Sequence, residues 1–257
     1  MNRVVVIGTL TSANSGSSDV NSAFYLAGTE SSTTPYVLYG TPPGGTITIS
    51  GMNNAALHGE PSKRVLLIGG GHYLNFEDIT LTGGSINASG GGILLSEDSN
   101  ITLLNGTKIT ENTSDTGGGI HVLAGTLTID GADISNNIAG NGGGVCIGDN
   151  VSGLNPNGTV IFKRGTISGN LTNGNGGGIW IYGDFTMEGG NIYGNSTSAN
   201  GGGIWIKEYG IMTYNNGSIR TNIANQGKSI YAAVYSTVTG ISLDTFAYDD
   251  HLDDDLP

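Results

Sequence analysis

Both tryptophans of this 257-residue chain stand in the middle of an Ile-Trp-Ile triplet, at Trp180 and Trp205, and Tyr231 holds the same place in Ile-Tyr-Ala. The same spacing toward the N-terminus places Cys146 in Val-Cys-Ile and His121 in Ile-His-Val, while Tyr182 and Lys207 lie two residues past the tryptophans. On a strand, a side chain flanked by two inward aliphatics points outward, because successive residues face opposite ways. These groups are therefore expected on one exterior strip, with equivalent residues about 4.8 Å apart from one repeat to the next. Aromatic rings so arranged stack on sugar rings or bury against a protein, which makes Trp180, Trp205, Tyr231, Tyr182, His121 and Lys207 the candidate ligand-binding residues. The competing expectation is that residues 149–158, or a terminal segment, fold over the strip.

Other reactive groups do not converge. A glycoside hydrolase needs two carboxylates about 5–10 Å apart, and a uronic-acid lyase needs a basic residue with cationic help. Glu77 with Asp78 and Glu97 with Asp98 are adjacent pairs whose members face opposite sides of a strand, or both face solvent if they lie in turns, and Lys163, Arg164, Lys207, Arg220 and Lys228 are scattered. His58, His72, His121 and His251 form no metal-ligand spacing. No catalytic residue, metal or cofactor is expected. A net charge of −12 with nine Lys plus Arg excludes nucleic acid as a partner. No apolar run approaches the roughly 20 residues that span a bilayer, and "VVVI" at 4–7 is too short for a signal-peptide core, so neither membrane insertion nor an export signal is expected.

The elements that position the strip follow from a repeat. Glycine triplets begin at Gly90, Gly117, Gly142, Gly176 and Gly201, with a degenerate copy at Gly227, at a period near 25 residues broken once by the extra stretch "DNVSGLNPNG". Each triplet precedes an alternating apolar segment, whereas phosphate-binding glycine loops precede a helix. Within "GGGIHVLAGTLTIDGADISNN" three such segments, IHV, LTI and ADIS, are separated by turn residues, and none has helical apolar spacing over a helical length. Three strands per unit, stacked in register, predict an all-β fold: a single right-handed parallel β-helix with three parallel sheets, about 25 residues per coil and terminal caps.

Inward columns are predicted at Ile93, Ile120, Val145, Ile179, Ile204 and Ile230 in the first sheet, at Leu104, Ile129, Phe162, Met187 and Tyr214 in the second, and at Ile109, Ile134, Ile167, Ile192 and Ile219 in the third. Three residues after the third-sheet isoleucine stands Asn112, Asn137, Asn170, Asn195 or Asn222, a predicted amide ladder that satisfies turn backbone groups. The coil before these has Gly84 in the ladder position. The outward threonines Thr128, Thr186 and Thr213 do not form a paired, uninterrupted array, so a water-ordering threonine face is not expected. Residues 1–43 are expected as an irregular N-terminal cap, 44–243 as the coils with an inserted loop at 149–158, and 244–257 as an acidic tail that discourages end-to-end pairing.

"GGGI" or "GGGV" followed by "ISNN", "ISGN" or "IYGN" resembles the paired GGAI and FxxN repeats of chlamydial polymorphic membrane proteins, and more broadly the right-handed β-helices of pectin-lyase-like bacterial surface adhesins. The third glycine here replaces that family's alanine, and isoleucine replaces its phenylalanine. The resemblance implies a non-catalytic module, secreted or displayed on a bacterial surface, that acts in adhesion through a glycan or a host or cell-surface protein. Related β-helices cleave polysaccharides, which is the alternative function. A monomeric domain is expected.

Overall fold

The computed structural model describes residues 2–11, 22–26, 46–59, 62–96, 98–149, 158–241, 250–252 and 256. Among them the chain is all β, with no helix, and it stacks three parallel sheets into a β-solenoid of about seven turns of about 27 residues. The first sheet takes one short strand from each glycine triplet: Ile93–Leu95, Ile120–Val122, Val145–Ile147, Ile179–Ile181, Ile204–Ile206 and Ile230–Ala232 pair in parallel without a register shift. Their flanking aliphatics are fully buried in one continuous core that runs the length of the stack. At about 1.5–3 kcal/mol per buried aliphatic side chain, these columns dominate the stability of the fold.

The other two faces divide differently from the expectation. Strands Gly125–Ser135 and Gly158–Ser168 each run through both the second and third predicted segments, making one large bent sheet. The bend falls where pairing slips by a residue, beside Gly131 and Gly165 at φ 110° and 116°, a region that glycine enters without a Cβ penalty. The remaining sheet is short and comes from residues past the ladder asparagine: Thr113–Thr116, Ile138–Asn141, Leu171–Thr172 and Ser196–Thr197.

One inward residue of the second sheet is corrected. Leu103, not Leu104, pairs with Ile129 and is fully buried, while Leu104 is half-exposed beside the slip at Asp130–Gly131. Tyr214, also expected inward, is half-buried against the core and its hydroxyl donates to the Gly217 carbonyl at 2.7 Å.

The asparagine ladder is continuous. Each Oδ1 accepts from the backbone N–H and the Nδ2 of the preceding asparagine, as Asn170 does from Asn137 at 3.0 Å each, and each Nδ2 also donates to a third-segment carbonyl such as Ile134. The series runs from Asn112 through Asn137, Asn170 and Asn195 to Asn222, all buried. At Gly84 it ends on backbone, whose N–H donates to Asn112 Oδ1 at 2.9 Å.

Parallel stacking also reaches into residues 1–43. Strands Asn2–Thr11 and Ser22–Leu26 pair in parallel with Ile47–His58 and Arg64–Ile68. At the other end, Asp250–Leu252 pairs antiparallel with Ile230–Ala232, and Leu256 exchanges backbone hydrogen bonds with Ile219, so the last coil's edge is covered by strand pairing. Residues 150–157 of the inserted loop and most of the acidic tail lie outside the described residues.

Candidate functional site: an aromatic strip and its corner

In-register pairing makes Leu94, His121, Cys146, Trp180, Trp205 and Tyr231 successive neighbours in one outward column. Trp180 and Trp205 stack with centroids 5.5 Å apart at 23°, and Tyr182 meets Trp180 at 6.4 Å, tilted by 46°. Lys207 Nζ lies 4.7 Å from the Tyr182 ring and 5.9 Å from Trp180, a cation held against two aromatic faces. The six candidates thus share one side of the solenoid.

They are not equally open. His121, Cys146 and Trp180 are buried, Trp180 at 8% exposure, and Tyr231 is equally covered, whereas Trp205, Tyr182 and Lys207 are half-exposed. The corner residues Ser89, Thr116 and Asn141 on one side, and Gly148 with Asp149 on the other, wall a cavity of about 270 Å³ above His121, Cys146 and Trp180. The strip therefore has an enclosed half and an open half.

In the enclosed half, His121 Nε2 lies 2.9 Å from the Gly148 carbonyl and Nδ1 lies 3.2 Å from the Thr116 hydroxyl. A carbonyl oxygen only accepts, so Nε2 carries the proton and Nδ1 is left to accept from the Thr116 hydroxyl, which also shares a hydrogen bond with the Ser89 hydroxyl at 2.9 Å. Both ring nitrogens of a neutral imidazole are satisfied. Burial lowers the His121 pKa; the Gly148 hydrogen bond and the charge of Asp149 act against this, and Arg64 adds to it. Burial also pushes the Cys146 thiol well up, so it stays protonated and is no nucleophile.

The His121 shift has a measurable sign. The unfolded chain takes up a proton near pH 6.5 while the folded chain resists it, so His121's contribution is complete above that pH and declines as pH falls below it. Urea unfolding is expected to show a lower midpoint at about pH 5.5 than at about pH 7.5, and His121→Gln should flatten the difference. An equally steep pH dependence in the variant would assign it to other groups.

Of the carboxylates considered for catalysis, Glu77 ends the strand Tyr73–Glu77 and accepts a hydrogen bond from Ser50, Asp78 and Asp98 stand at a bend and a turn with positive φ, and Glu97 lies outside the described residues. Among the described residues no three His, Cys, Asp or Glu side chains converge on a metal-sized site.

Two aromatics escaped the sequence reading. Tyr209 and Tyr235, 64% and 72% exposed, stack with centroids 6.1 Å apart and planes within 9°. They sit in the corner between the first and second sheets, where both have positive φ, 68° and 66°, and the Tyr209 N–H donates to the Tyr235 carbonyl. Strand alternation says nothing about such a corner; their 26-residue spacing was the available signal. Lys207 belongs to the same turn, its carbonyl accepting from Gly210 N–H at 2.9 Å.

Fold and site together define a parallel β-solenoid with an aromatic edge. The chain matches no protein-family model, and no curated protein or solved structure matches it. The likeness to chlamydial and pectin-lyase-like repeats therefore rests on the repeat motifs, while the solenoid itself stands on the structure.

Proposed function

We propose that this chain is a non-catalytic recognition module of a secreted or surface-displayed bacterial β-solenoid, acting in adhesion by binding a neutral glycan along the corner formed by Trp205, Tyr182, Lys207, Tyr209 and Tyr235. The observation that carries the reading is the stacked, exposed Tyr209–Tyr235 pair, in the turn that follows the half-exposed Trp205. Rigid aromatic planes present large contact area with few rotatable bonds, suited to the apolar face of a sugar ring. The net charge of −12 favours neutral over acidic glycans. Cleavage of polysaccharide is the alternative reading, and no observation at the aromatic corner favours it over binding.

The test is a glycan array with the full chain, followed by titration of the best ligand against Tyr209→Ala, Tyr235→Ala and Trp205→Ala. Each variant is expected to weaken binding by roughly tenfold, the equivalent of about 1.4 kcal/mol for a lost stacking ring. Ligand binding that ignores all three substitutions would remove the site from this face, and release of oligosaccharide from neutral polymers would replace binding with catalysis.

A further inference from the structure

The second sheet carries a patterned face that the strip does not use. Its outward central row reads Thr102, Thr128, Ile161, Thr186, Thr213 and Thr239, each paired laterally with the next. Two residues earlier on the same strands runs a second row: Asn100, Thr126, Thr159, Asp184, Ile211 and Thr237. The inward residues between the rows, such as Leu127, Val160, Phe185 and Met212, are fully buried, while every member of both rows is half-exposed or exposed.

Three properties distinguish this face from an ordinary solvated sheet. The register is unbroken across both rows, since the slip in the large sheet begins only past Ile129, so the side chains repeat at about 4.8 Å between strands and about 6.7 Å along them. Charge is almost absent: Asp184 is the single ionisable side chain in the two rows of a protein with net charge −12. The hydroxyls of Thr102, Thr126, Thr128, Thr159 and Thr186 have no protein hydrogen-bond partner among the described residues, while Thr239 donates to Thr213 at 3.2 Å. The β-branch of threonine restricts its χ1, so little rotamer freedom is lost when the row is ordered.

We infer that this face binds ice. Regularly spaced threonines with unspent hydroxyls can hold water in ordered positions at the scale on which an ice surface presents its oxygen rows, and with Asp184 the single charge in the two rows most of that water is free of strong ionic hydration. Ile161 keeps a methyl-bearing β-carbon where the hydroxyl is missing, and the row continues toward the N-terminus to the half-exposed Asn75. The ligand is water in a crystal, distinct from the glycan assigned to the aromatic corner, and no residue is shared between the two sites.

Ice-recrystallisation inhibition by the full chain tests it. Suppression of crystal growth is expected for the parent and for Tyr209→Ala with Tyr235→Ala. It is expected to be lost in Thr128→Tyr and in Thr186→Tyr, whose bulky rings interrupt the lattice from outside the core, with circular dichroism confirming the same β fold. Thr102→Lys, at another outward position, serves if either tyrosine variant misfolds. Failure of the folded parent to slow recrystallisation overturns the inference, as does equal activity in the threonine variants. Co-sedimentation with microcrystalline cellulose or chitin that is abolished by Thr128→Tyr, with recrystallisation unaffected by the parent, reassigns the face to a crystalline polysaccharide.

Discussion

Replacing Asn170 by Ala is expected to lower the unfolding free energy by about 3–5 kcal/mol, a large part of the 5–15 kcal/mol that typically separates folded from unfolded chains. Asn170 Oδ1 accepts both from the Asn137 backbone N–H and from Asn137 Nδ2, and Asn170 Nδ2 donates to the Ile134 carbonyl and to Asn195 Oδ1. Alanine deletes these four bonds. Asn195 Oδ1 keeps its bond from the residue 170 N–H, but the Asn137 N–H and the Ile134 carbonyl lose the partner supplied by residue 170, in a place with 1% exposure where water does not substitute. A buried unpaired group costs about 1–3 kcal/mol, more than the bond itself contributes. Asn175 is the control, because its Oδ1 accepts from Asn200 N–H at 3.2 Å in a half-exposed row that water reaches. Its change to Ala should cost under about 1 kcal/mol. Urea unfolding followed by circular dichroism reads both, and equal shifts for the two variants would deny the ladder its energetic role.

The second large effect concerns the middle glycine of a triplet. A Cβ on residue 177 would stand 2.4 Å from the Gly202 carbonyl oxygen and 2.9 Å from the Ser196 nitrogen, both backbone atoms of the next coil. No rotamer relieves that contact, so Gly177→Ala must push two coils apart where Gly177 N–H donates to Gly201 O at 2.9 Å. A loss of about 3 kcal/mol is expected, at the upper end for overpacking. Gly194→Ala separates this clash from backbone strain: its φ is 64°, yet its nearest neighbour lies 3.9 Å away, and only the left-handed conformation is penalised, by about 1 kcal/mol. If Gly194→Ala proved as damaging as Gly177→Ala, conformational freedom rather than coil approach would explain the triplets.

Each triplet position answers to a different constraint. Gly176 has φ 73°, Gly177 faces the backbone of the adjoining coil, and a Cβ on Gly178 would lie 2.6 Å from the Gly203 carbonyl and 3.0 Å from Asn195 Nδ2. Glycine is therefore required at all three, and the triplet is a structural corner.

Much of this was legible from residue order because a solenoid's contacts are a repeat of one local pattern. The first-sheet columns, the third-segment isoleucines and the five asparagines could be aligned by spacing alone, and they pair as their spacing predicts. Where spacing became irregular, the reading slipped. In "NITLL" two adjacent leucines compete for one inward position, and placing Leu104 inside turned Thr102 inward as well, which removed it from the outward threonine row. Thr128, Thr186 and Thr213 are legible as outward from the sequence, and what the register adds is their lateral pairing beside a second row.

What the sequence by itself determined is the coil to which each residue belongs and, outside the second sheet's Leu103–Leu104 and Tyr214, which aliphatics face inward, since period-two alternation and a repeat near 25 residues leave one stacking that buries the aliphatic columns. Only the tertiary structure decided which outward residues meet solvent. Trp180, Cys146 and His121 are outward yet covered by corner residues from other coils, while Tyr209 and Tyr235, in the turn between the first and second sheets, are open. Exposure depends on which distant segments cross a surface, and that information is carried by three-dimensional packing rather than by the alternation within any one strand.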